Sequence, residues 1–370
     1  MPFITLIVAY RNREIERVHR FIEGINRQTY RDFDFIFVDF GSEKQYSGPV
    51  KELVTGSGYN YYYIASNGWP WNKSHALNLG IKLAKTEYIL TTDIDLIYSP
   101  DTLRNMVDQC GPDINLHSRF YFLPKGFNGW DKLEDSIPGL EVCDYSEQGA
   151  MHLVTRKALM DINGFDEFYT FWGYEDIDVN IRLNKYGLKE KWIDHKIAPA
   201  FHQWHSKTKK LGFIPDLKWE QIMIYYFKNA NIIKRNLARD WGKMVTEENR
   251  RSLTLLNSKA FKKVFYFEKF KLNQKSQFVH DLIDSLNSLN KGEGIEVFYE
   301  KKMESKISLR ERVREIRSYL KEGFIRKPTF NPEKEFNNIC WLLIEDPSMK
   351  IGDFYIENQE DFLRIILVKD

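Results

Sequence analysis

The first half of the chain alternates short apolar runs with stretches of helical periodicity, and this alternation limits the folds that it can adopt. Four runs are apolar and suited to strands: 3–9, 33–38, 59–64 and 88–92. Apolar residues spaced three or four apart predict helices at 15–25 and 74–84. Strands that alternate with helices indicate βαβ units, so we predict an α/β fold whose mainly parallel sheet is flanked by helices.

The alternation continues with clearer boundary signals. Further strands are predicted at 115–123, 151–154, 191–193 and 197–201, and further helices from Ser99-Pro100, at 156–162 and at 175–186. Thr155 is placed to cap the second of these helices, while Asn163-Gly164 and Gly187 are typical helix ends.

The pattern changes beyond about Leu217. Basic amphipathic stretches such as 219–239 and 306–321 predict helices, and apolar runs at 336–344 and 362–368 predict strands. We therefore predict two domains, 1–235 and 236–370, the second being a mainly helical C-terminal extension.

Asp93 and Asp95 follow directly after the apolar run 88–92. Residues i and i+2 of a strand point to the same side, so both carboxylates can face one cavity at the strand's carboxyl end, where open α/β sheets bind ligands. Two like charges so close need a cation, a proton or hydrogen-bond donors, and oxygen ligands suit Mg2+ or Mn2+. The pair predicts a metal site; a polar turn that caps the next element is the structural alternative.

Polar side chains also follow the first two predicted strands. Arg11 or Arg13, at a strand-to-helix turn, suits a diphosphate contact, because arginines and helix N-termini both favour phosphate. Asp39 suits a hydrogen bond to a nucleobase or ribose, or else it organises the turn to Gly41.

The helix predicted at 74–84 is entered through an aromatic and a basic residue. Trp71 can stack on a base, and Lys73 at the helix start can neutralise a phosphate. For His75 we favour a capping and packing role.

A second acidic group begins the helix predicted at 175–186. Glu175, Asp176 and Asp178 lie in its first turn, where the helix dipole stabilises negative charge in any protein. Trp172-Gly173 precedes them and suits a binding loop, since a residue without a side chain lets a ligand approach the backbone. A carboxylate held there could act as a general base on a hydroxyl group.

Two histidines follow the strand predicted at 197–201. His202 and His205 offer imidazole nitrogens, which complement carboxylate oxygens at manganese or another transition metal. We predict that at least one of them is a metal ligand, and their spacing leaves open which one.

Composition excludes several classes of protein. A net charge of +2 gives no global positive field, which argues against a general nucleic-acid binder. Cys110, Cys143 and Cys340 are far apart and lack metal spacing, so they predict free thiols in a reducing compartment. No apolar stretch approaches the roughly 20 residues of a membrane span, and the N-terminus lacks a basic leader. We expect a cytoplasmic protein.

Together these motifs resemble the GT-A glycosyltransferases, most of all the inverting family 2, β-1,4-galactosyltransferase and chondroitin-polymerase type. The resemblance spans roughly residues 1–210 and rests on the order of the following segments: Tyr10-Arg11-Asn12-Arg13, Val38-Asp39, Trp71-Asn72-Lys73, Asp93-Ile94-Asp95, Asn163-Gly164-Phe165, Trp172-Gly173-Tyr174-Glu175-Asp176 and His202-Gln203-Trp204-His205. It implies a GT-A fold, which is Rossmann-like, and inverting transfer from a UDP-sugar.

The resemblance also implies roles for single residues. Mn2+, or Mg2+ in its place, would be bound by Asp95 and a histidine, with Asp93 near the donor ribose or sugar. Positions matching those that hold the nucleotide are Tyr10, Arg11, Asp39, Trp71 and Lys73. Asp176 matches the catalytic base, Glu175 the carboxylate beside it, and Trp172 the loop that covers both substrates.

Departures from the family pattern shape the remaining expectations. Tyr174 stands where a glycine is frequent, and the anchor and disulfides of Golgi members are missing. We therefore expect a bacterial enzyme of surface polysaccharide synthesis with a glycan or glycolipid acceptor. A silent sugar-binding or scaffold protein is one alternative. A nucleotidyltransferase is another, against which the glycine-free stretch 9–16 argues.

A peripheral membrane contact is a further expectation for the C-terminal segment. Its basic residues, Arg310, Arg312, Arg314, Arg317 and Lys321, would suit an anionic lipid surface, although an ordinary solvated helix face has the same pattern.

Overall fold

The computed structural model describes residues 3–145, 149–170, 173–205, 240–266, 275–300, 343–344 and 346–370. It divides into two compact units: the described residues up to 205 together with 240–246, and those from Glu247 onward. The predicted boundary at 235 and the helices predicted at 219–239 and 306–321 lie outside the described residues, as does most of the strand predicted at 336–344.

The first unit contains eleven strands and six helices among its described residues. The strands are β1 (Ile4–Tyr10), β2 (Phe33–Phe40), β3 (Asn60–Ile64), β4 (Tyr88–Thr92), β5 (Leu96–Tyr98), β6 (Ile114–Ser118), β7 (Tyr121–Phe122), β8 (Glu141–Val142), β9 (Met151–Thr155), β10 (Lys189–Ile193) and β11 (Ala200–His202). The helices are α1 (Ile15–Asn26), α2 (Lys44–Gly56), α3 (Lys73–Leu83), α4 (Thr102–Val107), α5 (Arg156–Asp161) and α6 (Glu175–Tyr186).

Seven strands form one mixed sheet in the order β10-β6-β9-β4-β1-β2-β3. Strands β1 to β4 run in parallel, β6 and β10 pair in parallel, and β9 runs antiparallel between β4 and β6. This confirms the predicted α/β fold with a mainly parallel sheet.

Both faces of this sheet are buried, which explains why β1 is apolar except at Thr5, whose hydroxyl forms a hydrogen bond with that of Thr86. Leu6 and Val8 belong to the core that contains Phe21 and Ile22 of α1, whereas Ile7 belongs to the core on the α3 side. Alternate residues thus fill two separate cores, as the twofold repeat of a strand requires.

A smaller sheet has the strand order β5-β11-β7-β8. It brings together two of the candidate metal ligands, because β5 follows Asp95 and β11 ends at His202. Strand β5 begins directly after Asp95, and β11 pairs with it antiparallel, with His202 opposite Leu96. The same strand β11 pairs in parallel with β7, with His202 opposite Phe122.

Two local predictions are corrected, and one helix was not predicted. The strand predicted at 115–123 is two strands in different sheets, because the chain bends at Arg119, whose guanidinium binds the carbonyl of Cys143 at 2.9 and 2.7 Å. The helix predicted from Ser99-Pro100 starts at Thr102, since Ser99 forms a turn with it instead. Helix α2 was not predicted, because Gly48 and Pro49 interrupt its apolar spacing.

The second unit is built on strands and not mainly on helices, which corrects the predicted C-terminal helical extension. Its described elements are α7 (Arg251–Ser258), β12 (Lys263–Tyr266), α8 (Lys275–Asn287), β13 (Gly294–Glu300), β14 (Ile351–Asn358) and β15 (Phe362–Lys369). The four strands form one sheet in the order β12-β13-β15-β14, and β15 confirms the strand predicted at 362–368. The prediction failed because basic helix-like stretches elsewhere in this part of the chain masked the two-residue alternation of the strands.

A buried ion pair fixes the start of α7 on this sheet. Arg250 donates to Asp353 at 2.8 Å, and the backbone N–H of Ser252 donates to the other oxygen of that carboxylate at 2.7 Å. Asp353 therefore caps α7 from a neighbouring strand.

Two chemical features complete the description. Cys110 and Cys143 form no disulfide with any described residue, and Cys340 lies outside the described part of the chain. In the part of the chain that the structure describes, every helix is too short or too polar to cross a membrane.

Candidate active site

The Asp-x-Asp segment lies in the turn between β4 and β5. The backbone N–H of Asp93 donates to the carbonyl of Ala150 at 3.1 Å, and the N–H of Leu96 donates back to the carbonyl of Asp93 at 3.3 Å. These bonds close a tight turn at the carboxyl end of β4, and the two carboxylates acquire different neighbours.

Asp93 belongs to what we term the acidic cluster: Lys73, Asp93, Glu175 and Asp176. The ammonium nitrogen of Lys73 lies 2.9 Å from Asp93, 3.5 Å from Asp176 and 4.0 Å from Glu175. Lys73 is the first residue of α3, and the two carboxylates on its other side begin α6. The two acidic foci of the sequence therefore meet on one lysine.

Burial and crowded negative charge together set the electrostatics of this cluster. Burial alone would lower the pKa of Lys73, but Asp176, Asp93 and Glu175 outweigh it and hold that pKa well above its usual value. Burial, and then the charge of Asp176, raises the pKa of Glu175 to about 8. Burial also raises the pKa of Asp93, which Lys73 only partly offsets. At neutral pH the cluster thus holds one ammonium and a protonated Glu175.

Asp95 belongs to the histidine cluster: Asp95, His202 and His205. One oxygen of Asp95 lies 3.1 Å from Nε2 of His205 and 3.5 Å from Nε2 of His202. Burial alone would raise the pKa of Asp95, but hydrogen bonds from the two histidines outweigh it and hold that pKa well below its usual value.

The histidine cluster fits a divalent cation. One carboxylate oxygen and two ring nitrogens lie within 4.8 Å of one another. The second oxygen of Asp95, Oδ1, is buried and has no hydrogen-bond partner among the described residues, so it is free to bind a ligand. Mixed oxygen and nitrogen donors suit Mn2+ better than Mg2+, which prefers oxygen. Asp93, which the spacing of the pair also predicted as a ligand, forms an ion pair with Lys73, and its role as a ligand stays a prediction.

The start of α6 has an unusual backbone. Tyr174, the residue before Glu175, is left-handed with φ of 73°. Only glycine adopts this conformation without steric cost, which explains why glycine is frequent at this position in the family the sequence resembles.

Asp39 is fully buried at the end of β2. One of its oxygens accepts from the N–H of Ser42 at 2.8 Å and the other from the hydroxyl of Tyr61 at 2.6 Å. Burial raises its pKa, which these hydrogen bonds only partly offset. The structure therefore shows the role in the turn, and a nucleotide contact stays a prediction.

Arg11, directly after β1, and Trp71, shortly before α3, both lie against Phe40 at the end of β2. Arg11 donates to the carbonyl of Trp69 at 2.8 Å and lies over the ring of Phe40, 5.9 Å from its centroid. Trp71 packs edge to face on the same phenylalanine at 5.8 Å and stays half-buried. An arginine beside a partly open indole is compatible with the predicted nucleotide site.

The structure does not bring the side chain of Tyr10 to the site. Its ring is buried against Phe37, and its hydroxyl donates to the carbonyl of Arg13 at 2.8 Å. The ring is part of the core, because β1 extends through Tyr10. Trp172 lies outside the described residues.

A buried network holds the helix that carries Lys73. Both ring nitrogens of His75 face acceptors, Glu167 at 3.0 Å and the carbonyl of Lys243 at 2.9 Å, so the ring is an imidazolium. Glu167 also accepts from Asn78 at 2.9 Å and from the N–H of Gly242 at 2.6 Å. The predicted packing role of His75 is thus confirmed.

Sequence reasoning missed two residues that shape the site. Gly149 lies so close to Asp176 that a Cβ there would overlap the carboxyl group. Gln203, between the two histidines, is buried and bonded on both ends of its amide. An isolated glycine in an irregular stretch and a single glutamine carry no sequence signal for these roles.

Comparison with known families agrees with this geometry. Residues 5–174 match the model of "Glycosyl transferase family 2". The chain carries a family 2 glycosyltransferase domain. Residues 143–206, which include α6 and the histidine cluster's two histidines, match "N-terminal domain of galactosyltransferase". The predicted resemblance is confirmed.

Relatives of the family 2 domain include the hyaluronan synthase of Pasteurella multocida, which is 25% identical over 219 residues, or 48% of this chain. The chain covers only 22% of that protein's length.

Solved structures resemble the chain more distantly. TarS of S. aureus has a TM-score of 0.45 at 15% identity and covers 78% of this chain and 49% of its own. The mannosyltransferase PcManGT of Pyrobaculum calidifontis, in complex with GDP-Man and Mn2+, has a TM-score of 0.40 at 20% identity and covers 57% of this chain and 59% of its own.

Proposed function

We propose that the chain is an inverting, metal-dependent glycosyltransferase. It would move a sugar of the Gal, GalNAc, Glc or GlcNAc type from a UDP-sugar to a hydroxyl of a glycan or glycolipid acceptor. One observation carries this proposal: two kinds of carboxylate site lie side by side in the chain. In the acidic cluster, Asp93 and Asp176 lie 2.9 and 3.5 Å from the ammonium nitrogen of Lys73. In the histidine cluster, the neighbouring carboxylate of Asp95 contacts two histidines.

Asp176 is the group best placed to act as the base. Its side chain is 26% exposed, whereas that of Glu175 is only 9% exposed, so Asp176 is the one that an acceptor can reach. It would take the proton of the acceptor hydroxyl while the oxygen forms a bond to the anomeric carbon and the bond to UDP breaks. Attack from the face opposite UDP inverts the anomeric configuration.

Lys73 orients this base and Glu175 supports it. The ammonium group bridges Asp93 and Asp176, so one side chain fixes the carboxylates that come from two distant segments. With a pKa of about 8, Glu175 stays protonated at neutral pH and can donate a hydrogen bond without adding charge.

Asp95, His202 and His205 would hold Mn2+, with Mg2+ as the alternative. A divalent ion bound there supplies positive charge to the diphosphate oxygen that leaves. Arg11, Trp71 and Lys73 would bind the nucleotide, and Asp39 would support the turn beside it.

The proposed acceptor and pathway are supported by the name of one relative. The Pasteurella relative is named for hyaluronan, so we infer a role in bacterial surface polysaccharide synthesis for this chain. Polymer synthesis on a membrane-bound acceptor would agree with a cytoplasmic enzyme that contacts the membrane peripherally through its basic C-terminal residues, which lie outside the described residues.

A donor screen tests the proposal. UDP release is measured for UDP-Gal, UDP-GalNAc, UDP-Glc and UDP-GlcNAc with a mixture of oligosaccharide acceptors, with Mn2+ and with a chelator. We expect release from at least one donor, dependent on metal and acceptor. Binding of UDP-sugar without release under any condition would indicate the silent sugar-binding protein, and formation of pyrophosphate from UTP and a sugar phosphate would indicate a nucleotidyltransferase.

A further inference from the structure

The segment that carries the two histidines is fastened to α1 by one buried glutamine. Gln203 follows the last residue of β11 and is 2% exposed. Its side chain points away from that of His202, because consecutive residues of an extended chain alternate.

Both ends of the Gln203 amide are used. Its carbonyl oxygen accepts from the guanidinium of Arg20 at 3.0 Å, and its NH2 group donates to the carbonyl of Arg17 at 3.1 Å. A guanidinium can only donate and a carbonyl can only accept, so the amide has a single satisfied orientation. The contact therefore specifies one position for the segment and not a range of positions.

The backbone of Gln203 connects this anchor to the metal candidate. Its N–H donates to the carbonyl of Asp95 at 2.8 Å. One residue thus binds α1 with its side chain and Asp95 with its backbone, while its neighbours His202 and His205 face the carboxylate of Asp95.

Arg20 is itself held in place. Its guanidinium lies over the ring of Trp130, 4.0 Å from the centroid. A cation stacked on an aromatic ring loses little further freedom when it donates to a glutamine, so the anchor is ordered before the histidine segment binds to it.

An apolar side chain would fill this interface at lower cost. Burying an amide is unfavourable unless its hydrogen bonds are complete, and a methionine of similar volume needs none. The amide instead makes the contact specific. A buried polar network with all its hydrogen bonds formed fixes one arrangement of the two segments, whereas apolar contacts permit several.

We propose that Gln203, anchored by Arg20, is a positioning residue that sets His202 and His205 at Asp95 for divalent-metal binding. The inference rests on the metal site of the proposed function. It assigns to Gln203 no contact with the metal or with either substrate. Residues that orient metal ligands commonly change metal affinity by about 10–100-fold when they are replaced.

The test measures Mn2+ binding directly by titration calorimetry, with no donor or acceptor present. We expect Gln203→Met and Arg20→Met each to raise the dissociation constant for Mn2+ by about 10-fold. Because both variants break the same contact, we expect the double variant to lose little more than either single one.

Gln28→Met is the matched control. Gln28 is fully buried beside the other end of α1, donates to the carbonyls of Gly24 and Ser99 at 2.9 and 2.8 Å, and accepts from the N–H of Leu103 at 3.0 Å. The Gln28→Met substitution should lower the unfolding temperature as much as Gln203→Met does, and should leave Mn2+ affinity at the wild-type value.

Each outcome decides the matter. Wild-type affinity in a folded Gln203→Met protein, or an equal loss in Gln28→Met, overturns the positioning role. If Gln203→Met does not fold, the half-buried Arg20→Met decides by the same criterion. If the wild-type protein does not bind Mn2+, the proposed metal site is wrong. The wild-type titration therefore separates failure of the metal site from failure of the positioning role.

Discussion

Asp93 and Asp95 are one residue apart, yet they belong to clusters with opposite electrostatics. Asp93 faces a lysine and two further carboxylates, and burial raises its pKa. Asp95 faces two histidines, whose hydrogen bonds hold its pKa well below the usual value. The comparison teaches that spacing brings carboxylates to one place, while the partners that other segments supply decide what each carboxylate can do.

The largest expected effect is on the rate of sugar transfer, with metal binding left unchanged. Replacing Asp176 by Asn should lower the rate of sugar transfer by about 10²–10⁴-fold, because the general base is lost. Mn2+ affinity should stay at the wild-type value, since Asp176 is not part of the histidine cluster. Steady-state kinetics and calorimetry measure the two quantities.

Asp161→Asn is the control for that change, because it makes the same replacement at a carboxylate whose partners, Lys157 and Tyr186, lie outside both clusters. Transfer at the wild-type rate by Asp176→Asn would disprove the role of Asp176.

A methyl group near Asp176 should have a smaller effect on the same cluster. In Gly149→Ala the new Cβ would overlap the carboxyl group of Asp176 and displace it. Displacement of a catalytic group by about 1 Å can cost about 10²-fold in rate. The control is Gly48→Ala in α2, where nothing lies within 4 Å of the added Cβ, and an unchanged rate in Gly149→Ala would show that the base tolerates displacement.

Metal affinity should distinguish the two aspartates from each other. We expect Asp95→Asn to raise the dissociation constant for Mn2+ by at least about 10-fold, and Asp93→Asn to raise it by less, because Asp93 binds Lys73. Calorimetry on both variants is the measurement. Equal losses of Mn2+ affinity in the two variants would mean that both carboxylates bind the metal. The proposed difference between Asp93 and Asp95 would then be wrong.

The smallest expected effect concerns stability and pH. The pKa of Glu175 is raised from 4.5 to about 8, so the folded state holds a proton that the unfolded state releases between these values. The free energy of unfolding therefore falls as pH rises through that window. Glu175→Gln has no such proton and should gain on the order of 3 kcal/mol relative to wild type between pH 5 and about 8, as measured by urea unfolding. A difference independent of pH would show that Glu175 ionises normally.

Much of the first unit could be predicted from sequence, because its strands are buried on both faces and read as continuous apolar runs. The sequence singled out Asp93 and the pair Glu175 and Asp176 as two separate acidic groups, and the structure places all three around Lys73, which was predicted only as a phosphate contact. The spacing alone could not predict the different partners of Asp93 and Asp95, because these are Lys73 and two histidines that come from other segments.

The second unit shows where such reasoning fails. Strands β13 and β14 mix apolar, acidic and glycine residues over seven and eight positions, so their alternation is weak beside the long basic stretches of the same region. Its buried pair of Arg250 and Asp353 spans about a hundred residues of chain and leaves no local pattern.

The place of β9 in the large sheet has a kinetic consequence. Strands β6 and β10 reach β4 and β1 only through β9, which is made some sixty residues after β4. Closing so long a loop is slow compared with pairing neighbouring strands. We therefore expect strands β1 to β4 to form their mutual hydrogen bonds before β9, β6 and β10 join the sheet. Until Met151–Thr155 docks, β4 presents an open edge, the kind of surface on which nascent chains aggregate. Pulse-labelled hydrogen exchange during refolding would contradict this order if the amides of β6 and β10 were protected as early as those of β1 and β2.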